Sequence, residues 1–282
     1  MLVIIGIVVV MFSVVGGYIL EKGNVAILFQ PVEAMIIFGA AIGAFLIANP
    51  PGVVAAVLKN LPAMFTAVPP NKKSYLNYLS LLYGLFSKIR KDGPLSVEGD
   101  IENPKQSELF KKYKINHELV QFICDNVRMV VSANIPPFEL ESLIDLEIDT
   151  HHEHALEPSH AVNRIADGLP GLGIVAAVIG VVLTMGKIDQ PPLVIGHHIA
   201  VALLGTFFGI FGSYCIFSPM STNLEHKARE EGVYLQIIKA ALIAFARGVA
   251  PLMAVEFGRR AIPGEVKPSF SEMETAVKGQ GK

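Results

Sequence analysis

Four long stretches without a charged residue constrain this chain more than any other feature. They cover residues 2–20, 34–58, 168–186 and 190–223. A helix needs about 20 apolar residues to cross a hydrocarbon core of roughly 30 Å. We therefore predict four membrane spans, and their approximate bounds are 2–20, 34–52, 169–186 and 195–217.

The composition excludes several classes of protein. Only 17% of the residues are charged, against roughly 25% in soluble domains, and 52% are hydrophobic. The net charge of -2 offers no basic surface for nucleic acid. No nucleophile–base pair, phosphate loop or metal-ligand spacing is recognisable. The sequence predicts that the chain is not an enzyme and binds neither a cofactor nor a metal.

Lysine and arginine indicate the orientation, because cytoplasmic loops carry an excess of both. Residues 59–167 and 218–282 together hold twenty-one of the 23 basic residues. We therefore place both termini and the large loop in the cytoplasm, and the chain in the cytoplasmic (inner) membrane. The predicted domains are spans one and two (1–58), a cytoplasmic helical loop (59–167), spans three and four (168–217) and a cytoplasmic helix with the tail (218–282).

The cytoplasmic parts show helical periodicity. Apolar residues recur at helical spacing over 75–89, 117–133 and 137–148, and residues 222–247 continue span four as a helix. The prediction is an all-α membrane protein. It has four transmembrane helices, and the loop between spans two and three forms a helical cytoplasmic domain with the C-terminal tail. We expect the last dozen residues to be disordered.

Spans three and four carry features that permit close packing and bending. Gly205 and Gly209 form a small-xxx-small pair, which lets another helix approach closely. Pro170 opens span three and Pro219 closes span four, and each leaves a backbone carbonyl without its usual donor. Tight packing within one bundle would explain the glycines equally well.

No acidic residue lies in any predicted span. Proton transfer through hydrocarbon needs a titratable group, and hydroxyls cannot hold a proton at neutral pH. Either the chain conducts nothing, or a partner helix supplies the carboxylate. The polar side chains at depth are Ser13, Thr184, Thr206, Ser213 and Tyr214.

The order of motifs along the whole chain resembles the MotA family of flagellar motor stator proteins. Span three reads Leu-Pro-Gly-Leu-Gly-Ile-Val-Ala-Ala-Val from residue 169, and span four carries Gly-Thr-Phe-Phe-Gly from residue 205. Further matches are Gly16-Gly17-Tyr18, Ala48-Asn49-Pro50, Asp100 to Pro104, Ser218-Pro219, Ala254 to Arg259 and Pro268-Ser269-Phe270.

The resemblance implies a function and partners. Proteins of this family form a ring of five copies around two copies of a single-span partner, MotB, whose helix brings an aspartate. Ion flow past that aspartate drives rotation, and the cytoplasmic heads engage the rotor protein FliG. The charged rotor contacts map onto Arg90 and Glu98. The prolines that couple ion passage to movement map onto Pro170 and Pro219.

The resemblance also bears on the coupling ion. Sodium-driven relatives place a threonine at the position of Ala177, whereas this chain has a methyl group there. Sodium prefers several oxygen ligands, and Thr206 alone offers a side-chain oxygen nearby. We therefore predict that H+ is the coupling ion, with Ala177 and Thr206 beside the partner helix.

Simpler explanations remain open for several of these residues. Arg90 and Glu98 fit a solvated helix end and turn, and Thr206 fits a hydroxyl bonded within its own helix. His151, His152 and His154 lack the spacing of a zinc helix, while His197 and His198 fit the outer end of a span. The competing functions are an ExbB- or TolQ-like motor that energises the outer membrane, a standalone transporter and a membrane scaffold.

Overall fold

The computed structural model describes residues 2–66, 70–113, 116–132 and 135–279. Every regular element in these ranges is helical, which confirms the all-α prediction. The α-helices are α1 (Leu2–Leu20), α2 (Pro31–Ala48), α3 (Pro51–Thr66), α4 (Lys72–Asp92), α5 (Glu98–Glu102), α6 (Glu108–Lys111), α7 (His117–Ser132), α8 (Pro137–Met185), α9 (Pro192–Phe211), α10 (Ser218–Ala246), α11 (Pro251–Arg260) and α12 (Phe270–Lys278).

Four helical segments of the described chain are long and apolar enough to cross a membrane, as predicted. The second span begins earlier than its uncharged run suggests. A short 3-10 turn precedes it, and Pro31 starts α2, since proline fits the first helical position, where no N–H is needed. The helix then ends at Ala48, and Pro51 starts the separate helix α3.

Two helices extend well beyond the predicted spans. Helix α8 runs for 49 residues and joins the predicted helix from Pro137 to span three, which the sequence analysis treated as separate. The polar stretch between their apolar patterns hides this continuity in the sequence. Helix α10 continues from span four to Ala246, which confirms the helix predicted for 222–247.

The chain divides into two compact units. Unit 1 contains residues 1–67 and 155–227, and unit 2 contains residues 68–154 and 228–282. Helices α8 and α10 contribute residues to both. These units follow the packing of the chain, whereas the sequence-based domains follow predicted membrane sides, and that division stays a prediction.

A large apolar core holds unit 2 together. Leu79, Leu82 and Phe86 of α4 are fully buried. Phe86 stacks on Phe245 of α10 with ring centroids 4.4 Å apart. Helix α4 ends at Asp92, and Gly93 follows as its C-cap with a φ of 88°. This positive φ favours glycine, because a residue with a Cβ rarely adopts it. The amphipathic helix predicted for 75–89 is therefore a central element of unit 2.

The C-terminal segment is ordered as far as the structure describes it, so the prediction of disorder was wrong for residues 271–279. The Ser269 hydroxyl accepts a hydrogen bond from the Glu272 N–H, and the Glu272 carboxylate accepts one from the Ser269 N–H. This capping box starts α12, and burial of Met273 and Val277 anchors the helix. The signal was visible as a serine three residues before a glutamate.

Candidate ion pathway and rotor-contact residues

The glycines of α8 and α9 pack the two helices against each other within the same chain. A Cβ added at Gly209 would lie 2.5 Å from the Leu169 carbonyl oxygen, and one added at Gly173 would lie 2.7 Å from the Gly205 carbonyl oxygen. Only glycine permits such a backbone approach. The small-xxx-small pair of the sequence therefore serves the intrachain contact between spans three and four.

Ala177 and Thr206 lie at the same level of this helix pair. A Cβ at Gly205, the residue before Thr206, would lie 3.0 Å from the Ala177 amide nitrogen. Both Ala177 and Thr206 are half-buried. Within the described chain, the Thr206 hydroxyl makes no hydrogen bond, whereas the Thr184 hydroxyl donates to the Gly180 carbonyl at 2.7 Å. The Thr206 oxygen thus remains free to meet a group from outside the chain.

Pro170 lies inside α8 beside the glycine contact, not at the start of a helix. It has no N–H, so the Ala166 carbonyl lacks its usual helical donor. The neighbouring Leu169 is fully buried, and its carbonyl faces Gly209. Pro170 therefore sits beside the close contact of α8 with α9, at a point where α8 lacks a hydrogen bond.

Pro219 follows a segment of π-helix that the sequence analysis did not predict. Residues Gly212–Phe217 form this wider helix between α9 and α10, and the Ser218 N–H donates to the Ser213 carbonyl five residues earlier. Proline has no N–H for the next hydrogen bond, and its ring crowds the preceding turn. The local change in winding gives a physical reason for the bend proposed at Pro219. In the sequence, Pro219 was the signal for this irregularity, since π-helical segments often occur where the regular helical hydrogen bonding is interrupted.

One acidic residue lies within the second apolar segment, whose helix begins before the predicted span 34–52, and this corrects the expectation that this span has no carboxylate. Glu33 occupies the first turn of α2, in the apolar segment Val25–Ala48. Its Oε2 atom is buried, and no described residue donates a hydrogen bond to it. The earlier start of α2 at Pro31 brings Glu33 into the helix. The rest of this span and the other three apolar stretches contain no carboxylate.

Arg90 and Glu98 are both exposed at the surface of unit 2. Arg90, near the end of α4, donates a hydrogen bond to the Gly248 carbonyl at 3.2 Å. Glu98 begins α5, and within the described chain its carboxylate makes no ion pair. The two side chains do not pair with each other, so the Glu98 charge stays available to an external partner.

The histidines do not form a metal centre in the described chain, where no group of three His, Cys, Asp or Glu side chains could hold an ion. The Nε2 atom of His198 lies 3.1 Å from the Nζ atom of Lys187, which belongs to the loop between spans three and four. The neighbouring His197 packs edge-on against the His198 ring. These contacts are consistent with the structural explanation left open for this pair.

Polar contacts that the sequence analysis missed hold the helices near the spans. Arg164 of α8 donates to the Asn49 side-chain oxygen at 2.5 Å, and Asn49 donates to the Phe45 carbonyl at 2.7 Å. Ser159 and Ser221 each donate to the backbone carbonyl of the other, at 3.0 and 2.9 Å. Nothing in the sequence indicates the Arg164–Asn49 and Ser159–Ser221 pairings, because these partners are far apart in the chain.

Comparison with known proteins agrees with this architecture. Residues 4–93 match the family "Motility protein A N-terminal", and residues 113–237 match the MotA/TolQ/ExbB proton channel family. Motility protein A of Salmonella typhimurium is 40% identical over 99% of this chain and 95% of its own length. The chemotaxis protein LafT of Vibrio parahaemolyticus is 36% identical over 96% of both chains.

Solved structures show the same fold. The structure of C. jejuni MotAB matches with a TM-score of 0.77 at 21% identity, over 93% of this chain and 96% of that chain. The MotAB stator complex from Bacillus subtilis matches with a TM-score of 0.73 at 20% identity, over the same shares. With its four apolar spans, this is a multi-pass protein of the inner membrane. The chain belongs to the MotA family, the stator proteins of the bacterial flagellar motor.

Proposed function

We propose that this chain, as a flagellar stator subunit, conducts H+ only together with a MotB-like single-span partner that supplies a membrane aspartate. The distribution of carboxylates carries the proposal. Apart from Glu33 in the first turn of α2, the four apolar segments contain no acidic side chain. Proton transfer through hydrocarbon requires a titratable group. The free hydroxyl of Thr206, at the level of Ala177, supports the proposal because it is available to a side chain of the partner.

The proposed assembly follows the family pattern: five copies of this chain surround two copies of the partner. Both termini and unit 2 lie in the cytoplasm, where Arg90 and Glu98 contact the rotor protein FliG. The apolar surface supports burial by lipid and neighbouring subunits, because α1 has no buried residue within the single chain. Pro170 and Pro219 couple ion passage to movement at the points where α8 and α10 are weakened.

The energy scale suits this mechanism. One charge that crosses ~150 mV releases about 3.5 kcal/mol. An exposed ion pair contributes only about 1 kcal/mol or less. Each ion therefore supplies enough free energy to break a rotor contact and drive a conformational step.

Motility of a strain without its own stator tests the proposal. The strain receives this chain with its cognate partner, or with a partner whose membrane aspartate is changed to asparagine. We expect swimming only with the intact aspartate. Absence of swimming with both partners, despite co-assembly in the membrane, would favour an outer-membrane-energising motor or a scaffold.

The coupling ion can be tested separately. A sodium site would need several oxygen ligands, and Ala177 contributes none. We expect the swimming speed to remain unchanged when sodium is replaced by potassium at constant pH. A speed that scales with the sodium concentration would refute the assignment of H+.

Reversal of Arg90 to glutamate is expected to reduce torque without preventing membrane assembly, because it inverts a charge offered to the rotor. Tethered-cell rotation measures the torque, and immunoblotting of membranes measures assembly. Arg90→Gln serves as a companion, since it removes the charge but keeps a donor for the Gly248 carbonyl. Lys91→Glu reverses the adjacent exposed cation as a control. Normal swimming of Arg90→Glu, with no defect unmasked by a second charge change, would remove the rotor assignment.

A further inference from the structure

A compact polar cluster joins three helices beside the proposed rotor-contact residues. Lys88 Nζ of α4 lies 2.7 Å from Asp100 Oδ2 of α5. The Ser107 hydroxyl donates to the other oxygen, Asp100 Oδ1, at 2.6 Å. The Asp100 side chain is only 14% exposed. Both oxygens of one largely buried carboxylate are thus satisfied by partners from different elements.

Ser107 extends the cluster to α6. Its side-chain oxygen accepts a hydrogen bond from the Leu109 N–H at 3.2 Å and so caps this short helix. Leu109 in turn packs against Gly84 of α4, where an added Cβ would lie 3.2 Å from its Cδ2 atom. The segment from α5 to α6 is therefore tied to α4 at two points, one polar and one apolar.

The positions of these residues along the helices are informative. Lys88 lies two residues before Arg90, and Asp100 lies two residues after Glu98. Two residues correspond to about 200° around a helix, so side chains at this spacing point in nearly opposite directions. When Lys88 and Asp100 face each other, Arg90 and Glu98 are directed away from the pair and toward solvent.

We propose that Asp100, through its contacts with Lys88 and Ser107, is a positioning residue that holds α5 on α4 and so presents Glu98 to the rotor. This inference rests on the proposed rotor contact of Glu98. The surface pair Lys72–Glu272 provides a contrast, because its side chains are 52% and 46% exposed and it joins the other end of α4 to α12. Exposed pairs of that kind contribute little to stability.

The test uses the full chain with its cognate partner. Asp100→Asn is compared with Lys72→Met, the control, which removes an ion-paired lysine from α4, the helix that carries Lys88. For Asp100→Asn we expect wild-type membrane levels, reduced torque, and amide hydrogen exchange about tenfold or more faster in α5 and α6, because a charge-assisted contact is lost. Lys72→Met should change neither the torque nor the exchange of these helices. Unchanged exchange in Asp100→Asn would overturn the proposal.

Two double variants separate positioning from a general structural role. Lys88→Asp with Asp100→Lys restores an ion pair of reversed polarity and should recover part of the torque lost in either single variant. Glu98→Lys combined with Asp100→Asn should be no slower than Glu98→Lys alone, because Asp100 acts through Glu98. Torque losses that multiply would overturn the proposal. If Glu98→Lys rotates normally, the proposed rotor contact fails, and any torque loss in Asp100→Asn then arises by a route other than the one proposed.

Discussion

Replacement of Gly209 by valine is expected to abolish swimming and to lower the amount of the protein in the membrane. The Cβ would lie 2.5 Å from the Leu169 carbonyl oxygen and 2.8 Å from the Gly173 Cα. Both atoms belong to the backbone, so no side chain can turn away and α8 must separate from α9. Overpacking of this kind costs roughly 1–3 kcal/mol in cores with more freedom to adjust. Immunoblotting of membranes and swimming in soft agar measure the two effects.

A matched control separates this clash from the general effect of valine in a membrane helix. Gly196 lies in the same helix α9, and an added Cβ there meets no atom within 4 Å. Gly196→Val should therefore keep close to wild-type membrane levels, and Gly209→Ala should fall between Gly209→Val and the wild type. Normal motility of Gly209→Val would show that the backbone contact of α8 with α9 does not exist in the working stator.

Replacement of Glu256 by glutamine is expected to destabilise unit 2 by roughly 3–5 kcal/mol, because it removes one partner of a buried ion pair. Glu256 is 5% exposed and accepts hydrogen bonds from Arg259 at 2.6 and 2.8 Å. Arg259 also donates to the Pro268 carbonyl and thus holds the turn before α12. Thermal unfolding of the purified complex, with hydrogen exchange over 251–279, measures the loss.

The same ion pair predicts a dependence of stability on pH. Hydrogen bonds from Arg259 lower the pKa of Glu256 below its usual value. A carboxyl group with a lowered native pKa stabilises the fold above its unfolded pKa, and this contribution is lost as the pH falls through the native pKa. Glu256→Gln should therefore flatten the acid limb of the stability profile.

Arg260 provides the control for this prediction. It also donates to Glu256, at 2.9 Å, but its side chain is 76% exposed. Arg260→Gln should change the stability by about 1 kcal/mol or less, since exposed ion pairs are weak. An equal loss in Arg260→Gln and Glu256→Gln would indicate that burial of the Arg259 contact is not what stabilises this turn.

Much of the fold could be predicted from the sequence because its signals are local. An apolar run of about 20 residues is long enough to cross the hydrocarbon core, so four spans could be predicted directly. The helix over 75–89 and its end at Gly93 followed from periodicity and from the glycine. The capping serine of α12 was equally local, and only the polar composition of the tail obscured it.

The candidate site was predictable only in part. The sequence and its family resemblance indicated Pro170, Pro219, Ala177 and Thr206, and the structure places Ala177 and Thr206 at one level of the α8–α9 pair. It could not indicate that the Thr206 hydroxyl is free, because hydrogen bonding depends on neighbours from other helices. The position of Glu33 within a helix was also missed, since an uncharged run marks the apolar segment and not the first helical turn.

By itself the sequence determined the number of spans, the helical class and the membership of a stator family, all of which depend on apolar content and on residues adjacent in the chain. The tertiary structure alone decided which helix the glycines of α9 approach, which carboxylates are paired, and how Asp100 is linked to Lys88 and Ser107. These contacts join residues of different helices. They depend on the distance and direction between side chains, which packing sets and residue order does not encode locally.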